Sequence, residues 1–198
     1  MIPAISDADG PEAHPYKYEM SPAEEEGFRL KMLAMAGDEL RKQSKAFETK
    51  APASAAPTTG VRQRRPGAKA NPKPPQPTFE DVQLRVFDVA ASNEPVIVLT
   101  ATAHPPQSSK EETKVADYYI TLVTRSDIYG ELRKLLSVVT DSDHLDVNPR
   151  MQLIDAVDAD GDGRGELLFR QISDAGTAYA IYRVHPDQLW SLYTGTPQ

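Results

Sequence analysis

Two related stretches of sequence decide the fold. Residues 158–169 read DADGDGRGELLF, and residues 88–99 read DVAASNEPVIVL. Each stretch begins with an aspartate, continues through residues that favour turns, and ends in large apolar side chains. This shared order predicts, at each place, a hairpin in which a loop joins two β-strands.

The similarity between the two halves extends beyond these hairpins. The tripeptide VQL at residues 82–84 precedes the first stretch, and MQL at residues 151–153 precedes the second. Further along, residues 119–125 resemble residues 179–184 in their pattern of residue types. Self-similarity at a fixed spacing is the signature of a repeated structural unit, so we predict an internal duplication.

The predicted fold class is mainly β: two propeller-blade-like antiparallel repeats of about four strands each, preceded by one N-terminal helix and a Pro-rich linker. The β domain is expected at residues 79–198, with repeat 1 at about 79–141 and repeat 2 at about 149–198. Its strands are expected at residues 82–89, 96–101, 118–124, 132–139, 151–157, 167–172, 178–184 and 189–193.

Residues 127–140, DIYGELRKLLSVVT, fit two secondary structures. Their apolar positions have helical spacing, and Asp127 is a suitable N-cap. The counterpart in the second repeat, residues 185–190, contains a proline and turn-forming residues. Because two repeats should share one structure, we predict a turn at Tyr129-Gly130 and a strand at residues 132–139.

One amphipathic helix is predicted at residues 21–48, after a disordered or extended tail at residues 1–20. Ser21 is a suitable N-cap, and Pro22 and Glu24 occupy positions that favour a helix start. The apolar residues of this helix form a stripe that has to be covered, either by the chain's own β domain or by a partner protein. Its apolar residues, which recur at helical spacing, are Phe28, Met32, Met35, Ala36, Leu40 and Phe47.

A Pro-rich, basic linker is predicted at residues 49–78. It contains seven prolines, six basic residues and no acidic residue. Its few large apolar side chains cannot form a core. The Pro-rich end at residues 72–77 favours an extended spacer. The basic cluster at residues 62–65 lacks the interleaved aromatic residues that stack on single-stranded bases, so we expect no nucleic-acid partner.

The loop at residues 158–166 carries the clearest site chemistry. Its aspartates alternate with small residues, which in a tight loop directs three carboxylates toward one centre. A hard cation with many oxygen ligands, such as calcium (Ca2+), suits that arrangement. An acidic surface turn without a metal is the alternative. The predicted metal ligands are Asp158, Asp160, Asp162, the backbone carbonyl of Arg164, and Glu166.

An EF-hand is excluded, because Phe169 stands where an EF-hand loop places its last glutamate ligand. The motif VDADGDGRGELLF instead resembles the calcium hairpin of FG-GAP/VCBS repeats, which form blades of integrin-type β-propellers and of many bacterial surface proteins. The pattern of that family is D-x-D-x-D-G-x-x-D, and Glu166 replaces its last aspartate. The resemblance implies that the second hairpin binds Ca2+.

The first repeat departs from the family pattern. It retains only Asp88, Ser92 and Asn93 as polar loop residues, so we expect it to bind no ion. A closed propeller needs at least about four blades. The two visible repeats therefore imply a partial propeller, a two-sheet domain, or a domain completed by a partner.

Composition and motifs also exclude several functional classes. The chain has no cysteine, which excludes disulfides and thiolate chemistry. His14, His104, His144 and His185 lack the spacing of metal ligands, and no phosphate-binding loop or nucleophile motif is present. We therefore expect no enzymatic activity and no catalytic residue. No apolar run is long enough to span a membrane, and the first thirty residues do not form a signal peptide.

The expected function is a non-enzymatic, calcium-stabilised binding module that mediates protein interaction at the cell envelope. The alternative is an accessory subunit of a larger, possibly membrane-bound, complex, held through its extended N-terminal helix and linker. On either reading a protein partner is expected, because an extended arm gains little stability alone.

Overall fold

The computed structural model describes residues 16–50, 77–104 and 117–198, with helix side chains described up to residue 43. Most of the predicted tail and linker, and the side chain of Phe47, therefore lie outside the described residues. At the edges of these predictions, Thr49 and Lys50 belong to the helix and Thr78 begins a strand.

The described chain contains one helix and two antiparallel sheets, which confirms the predicted mainly β class. The helix, α1, spans Pro22–Lys50. The first sheet has the strand order β1-β2-β3-β4 and the second sheet the order β5-β6-β7-β8. The strands are β1 (Thr78–Phe87), β2 (Val96–His104), β3 (Tyr118–Ser126), β4 (Leu132–Asp141), β5 (Arg150–Val157), β6 (Glu166–Ser173), β7 (Gly176–Val184) and β8 (Leu189–Thr194).

The ambiguous stretch at residues 127–140 is a turn followed by a strand, as the repeat predicts. The Asp127 carboxylate accepts hydrogen bonds from the N–H groups of Tyr129 and Glu131, each at 2.9 Å. Gly130 has a φ of +76°, which few other residues tolerate. The aspartate that would cap a helix therefore caps a hairpin turn instead.

The start of α1 is fixed by a capping box. The Glu24 carboxylate accepts a hydrogen bond from the Ser21 N–H at 2.8 Å, and the Glu24 N–H donates to the Ser21 hydroxyl at 3.3 Å. These reciprocal bonds satisfy backbone donors that have no partner inside the helix. The predicted helix start is confirmed.

The apolar stripe of α1 packs on one face of the first sheet. Met32, Ala36 and Leu40 are buried in one cluster with Ile97 and Leu122 of that sheet. Polar contacts border the interface: the Thr124 hydroxyl lies 3.2 Å from the Met32 sulfur, and Lys134 pairs with Glu39 at 2.9 Å. The sequence left open whether the β domain or a partner protein covers this stripe. The structure shows that the chain's own β domain covers it.

The opposite face of the first sheet packs on the second sheet. Val98 and Val123 share a buried cluster with Leu167 and Phe169. Successive strand residues point to opposite faces, so the first sheet is buried on both sides. The layers follow the order α1, first sheet, second sheet. Among the described residues, no helix has the length and apolarity needed to cross a membrane.

Candidate metal centre

The loop between β5 and β6 brings three acidic side chains together. Asp158, Asp160 and Glu166 each offer a carboxylate oxygen, and these oxygens lie within 4.8 Å of one another. The two aspartates are exposed, whereas Glu166, the first residue of β6, is fully buried. Three of the five predicted ligands therefore converge.

Asp158 shapes the loop through backbone hydrogen bonds. Its two carboxylate oxygens accept from the N–H groups of Gly161, at 2.7 Å, and Gly163, at 2.9 Å. Both glycines have positive φ angles, of +78° and +80°, which a side chain would strain. The alternating glycines are therefore required by the chain path, independently of any ion.

Glu166 fixes the loop to the second sheet. One of its oxygens accepts a hydrogen bond from the Ala159 N–H at 2.9 Å, and the other accepts from Arg183 Nε at 3.0 Å and Nη2 at 2.8 Å. A buried carboxylate is tolerated only with such partners. Glu166 therefore acts as a structural anchor as well as a candidate ligand.

Arg183 is the functional residue that the sequence did not reveal. It lies on β7 directly opposite Glu166 in the strand register. Its guanidinium contacts Asp160 at 2.5 Å, Asp162 at 3.3 Å and Glu166 at 2.8 Å. Hydrogen bonds to Asp160 and then to Glu166 raise the pKa of Arg183 above its usual range. Three carboxylates share one guanidinium, so negative charge remains in excess.

The acidic cluster could hold a metal ion, and its oxygens are close enough together for one the size of calcium. Calcium–oxygen distances of about 2.3–2.6 Å place opposing ligand oxygens at most about 5 Å apart. The separation of up to 4.8 Å among the three side chains is compatible with that limit. All the donors are oxygens, which a hard cation prefers. Arg183 contacts the same carboxylates, so an incoming cation competes with it.

Asp162 and Arg164, the other two predicted ligands, lie beside the group of three. The Asp162 carboxylate accepts a hydrogen bond from the Arg164 N–H at 2.9 Å and also faces Arg183. One carboxylate oxygen of Asp162 is thus already hydrogen-bonded to the loop backbone. Arg164 contributes a backbone donor there, and its carbonyl stays a predicted ligand.

The loop of the first repeat, between β1 and β2, has a similar pattern of backbone hydrogen bonds but different side chains. Asp88 accepts hydrogen bonds from the N–H groups of Ser92 at 2.9 Å and Asn93 at 3.1 Å, much as Asp158 does in its own loop. Arg125 lies opposite Val96 in the register and pairs with Glu94. In the described part of the chain, the second loop alone gathers three potential metal-ligating side chains.

The strand registers correct one detail of the predicted repeat. Leu99 pairs with Leu122 and Phe169 with Ala180, so residue 119 corresponds to residue 177 rather than to residue 179. The sequence match was therefore displaced by two residues, which preserves the alternation of faces. In the correct alignment Arg125 corresponds to Arg183, and this pair is the signal that identifies the arginine.

Tyr16 links the acidic loop to the first sheet. A Cβ atom on Gly165 would lie 3.0 Å from the Tyr16 ring, so the glycine permits this close contact. The Gly165 N–H donates to the Val89 carbonyl at 2.8 Å, and the Tyr16 carbonyl accepts from the Asp88 N–H at 2.9 Å. Burial, followed by the negative charge of Asp158, raises the pKa of Tyr16.

Two histidines outside the acidic loop, His144 and His104, lie against carboxylates. His144 Nδ1 lies 2.6 Å from Asp141, which also accepts the N–H of Asp143 and so organises the turn after β4. His104 lies 2.9 Å from Asp117 and 3.4 Å from Glu80. A cleft of about 470 Å³ lies beside Arg125, and no residue of the acidic loop lines it.

Comparison with family models, with curated proteins and with solved structures finds no match to this chain.

Proposed function

We propose that the chain is a non-catalytic binding module whose second hairpin loop is stabilised by Ca2+. The convergence of the Asp158, Asp160 and Glu166 carboxylates at the end of the second sheet carries this proposal. The resemblance of the loop to FG-GAP/VCBS repeats supports calcium in particular. The ion would neutralise the excess negative charge and stiffen a loop that Arg183 alone holds incompletely.

The proposed site favours a calcium-rich compartment. Arg183 competes for the ligands, and two of the carboxylates are exposed, so we expect a dissociation constant in the range of extracellular modules, about 0.1–1 mM. Such a site fills outside the cytoplasm and stays largely empty inside it. We therefore place the module at the cell envelope, where it would mediate protein interaction.

Titration calorimetry with CaCl2 on metal-free protein tests the proposal. Wild type should bind one ion, and Asp160→Asn should weaken binding about tenfold or more, because a lost ligand costs at least as much as a lost outer-shell contact. Asp174→Asn, a charge-matched change in the β6–β7 turn, should bind as wild type does. Absence of calcium binding by wild type at millimolar concentrations would reject the site.

An accessory subunit that docks through its N-terminal arm is the second candidate. The apolar stripe of α1 is already packed on the first sheet, so it is not available for a partner. The partner contacts would instead use the basic linker at residues 49–78 and solvent-facing helix residues such as Leu30, which is 61% exposed.

A further inference from the structure

A small cavity with largely polar walls lies between the two sheets. Residues of β1, β2, β3 and β5 line it. Arg150, the first residue of β5, is one of them, whereas the acidic loop follows Val157 at the other end of that strand. The cavity has a volume of about 50 Å³, which is enough for a few ordered waters or for one small polar group. We name it the Arg150 pocket.

The inner face of the first sheet changes from apolar to polar at this pocket. In β2, Val98 is buried in the core between the sheets, and the next two residues on the same face are Thr100 and Thr102. In β3, Val123 is buried in the same core, and Thr121 lies two residues earlier on that face. Valine in place of each threonine would have nearly the same shape, so packing alone does not account for the three hydroxyls.

Only one of these hydroxyls is used within the described part of the chain. The Thr121 hydroxyl donates to the Met151 carbonyl at 2.6 Å, which ties the two sheets together. Thr100 and Thr102 also line the pocket, and their hydroxyls form no hydrogen bond with another described residue. A partly buried hydroxyl of this kind needs water or a ligand as its partner.

Arg150 is the cation of the pocket, and its donors are not used by any described residue. Its guanidinium stacks on the Tyr119 ring, 4.1 Å from the ring centroid. Stacking occupies a face of the guanidinium, whereas its five N–H donors lie in the plane of the group. Among the described strands, three other arginines are also partly buried, and each of them pairs with a carboxylate of the chain: Arg85, Arg125 and Arg183.

We propose that the Arg150 pocket binds a carboxylate from outside the chain. The planar guanidinium matches the two oxygens of a carboxylate, and the hydroxyls of Thr100 and Thr102 can donate to the lone pairs that remain. The charges also match, because one guanidinium balances the single negative charge of a carboxylate. A phosphate carries nearly two charges, and the excess would lie beside Asp81, which also lines the pocket.

The volume of the pocket admits the carboxylate and the first carbon atoms of the ligand, so the remainder of the ligand extends into solvent. A free small carboxylic acid and an aspartate or glutamate side chain of another protein both present this chemistry. The proposal goes beyond calcium binding and does not depend on it, because the pocket shares no residue with the acidic loop.

Nuclear magnetic resonance on the 15N-labelled, metal-free full chain tests the proposal. Sodium acetate is titrated, with sodium chloride at equal ionic strength as the salt control. The Arg150 Nε–H signal and the amide signals of residues 100–102 and 119–121 should shift and saturate. Arg150→Gln should raise the acetate dissociation constant by about tenfold or more. Arg133→Gln, which removes an exposed arginine of β4, is the matched control and should bind acetate as wild type does.

The threonines provide variants that keep the shape of the sheet. Thr100→Val and Thr102→Val each remove one hydroxyl and restore the residue type that precedes them on the same face. Each should raise the acetate dissociation constant by about threefold to tenfold, because one hydrogen bond to a charged group is lost. These variants test the pocket even if Arg150→Gln disturbs the stacking on Tyr119.

A second series compares ligands on wild type. Tighter binding of glutamate blocked at both ends than of acetate identifies an acidic protein side chain as the ligand, and tighter binding of acetate identifies a free small acid; both results support the pocket. Shifts that fail to saturate, that sodium chloride reproduces, or that Arg150→Gln leaves unchanged overturn the proposal. Tighter binding of inorganic phosphate than of either carboxylate overturns it as well.

Discussion

At the scale of single residues, Arg183 and the proposed calcium ion compete for the same oxygens. Replacing Arg183 with glutamine frees Asp160 and Glu166 and adds one unit of net negative charge to the loop. The calcium dissociation constant should therefore fall by about tenfold. Without calcium, the melting temperature should fall, because buried Glu166 loses its cationic partner. Calorimetry and thermal melts in calcium and in chelator measure both effects.

The control for this variant is Arg170→Gln, which removes an arginine of the same sheet that contacts Gln152 rather than the loop. It should leave calcium affinity close to that of wild type. Calcium affinity that is unchanged in Arg183→Gln would show that the guanidinium and the ion do not compete.

The sequence could predict only the local part of this site. Asp158, Asp160 and Glu166 lie in one loop, so spacing alone brings them together. Arg183 lies 17 residues beyond Glu166 on another strand, and only the strand register places it opposite. Its one sequence signal is the equivalent Arg125, which becomes visible when the repeats are aligned by register rather than by similarity.

At the scale of elements, the capping box at the start of α1 has a pH dependence. Hydrogen bonds from the backbone and hydroxyl of Ser21 lower the pKa of Glu24 from its ordinary value of 4.5. A lowered carboxyl pKa stabilises the fold above that ordinary value, and the contribution is lost as the pH falls through the folded-state pKa. The cap therefore stabilises α1 at neutral pH and loses most of this contribution in acid.

Ser21→Ala should consequently lower the melting temperature at pH 7 by about 2–4 °C. The difference from wild type should shrink in acid, as the pH falls through the folded-state pKa of Glu24 and its carboxylate is lost. Thermal melts at a series of pH values from 7 downward measure it. Ser142→Ala, which changes a serine in the turn after β4, serves as the control and should show no such pH-dependent difference.

The eight strands were predictable because each combines β-forming side chains with turn residues on either side. Residues 127–140 show the limit of that approach. Ile128, Leu132 and Leu136 satisfy a helical period, and local pattern alone favours the wrong structure there. The repeat corrected it, because the equivalent residues 185–190 contain a proline. Comparison of the two repeats therefore supplied information that the spacing of apolar residues lacked.

At the scale of the whole molecule, the sequence could not predict the order in which α1 and the two sheets pack against one another. Alternation shows that a strand has two faces but does not say which element covers each of them. The apolar stripe on α1 likewise had to be buried, but the sequence did not identify the surface that buries it. The structure resolves both through the burial of Met32 and Leu40 on one side of the first sheet and of Val98 on the other.

This packing predicts that α1 stays bound when its covalent connection is cut. A protease site inserted between residues 60 and 70 would separate the arm from the β domain. The two fragments should still elute together on gel filtration, because the apolar helix face remains buried. Met32→Asp should release the arm, whereas Leu30→Asp, on the exposed side of the helix, should not. Separate elution of the unsubstituted fragments would contradict the prediction.

The shared frame of the two hairpin loops has an evolutionary consequence. Asp88 and Asp158 each hold their loop by accepting two backbone N–H groups, and neither arrangement requires an ion. After a duplication, ligands can therefore be gained or lost by point substitution while the chain path is inherited unchanged. Val96 and Glu166 occupy equivalent positions with opposite chemistry, so a single side chain there separates an apolar core contact from a potential metal ligand.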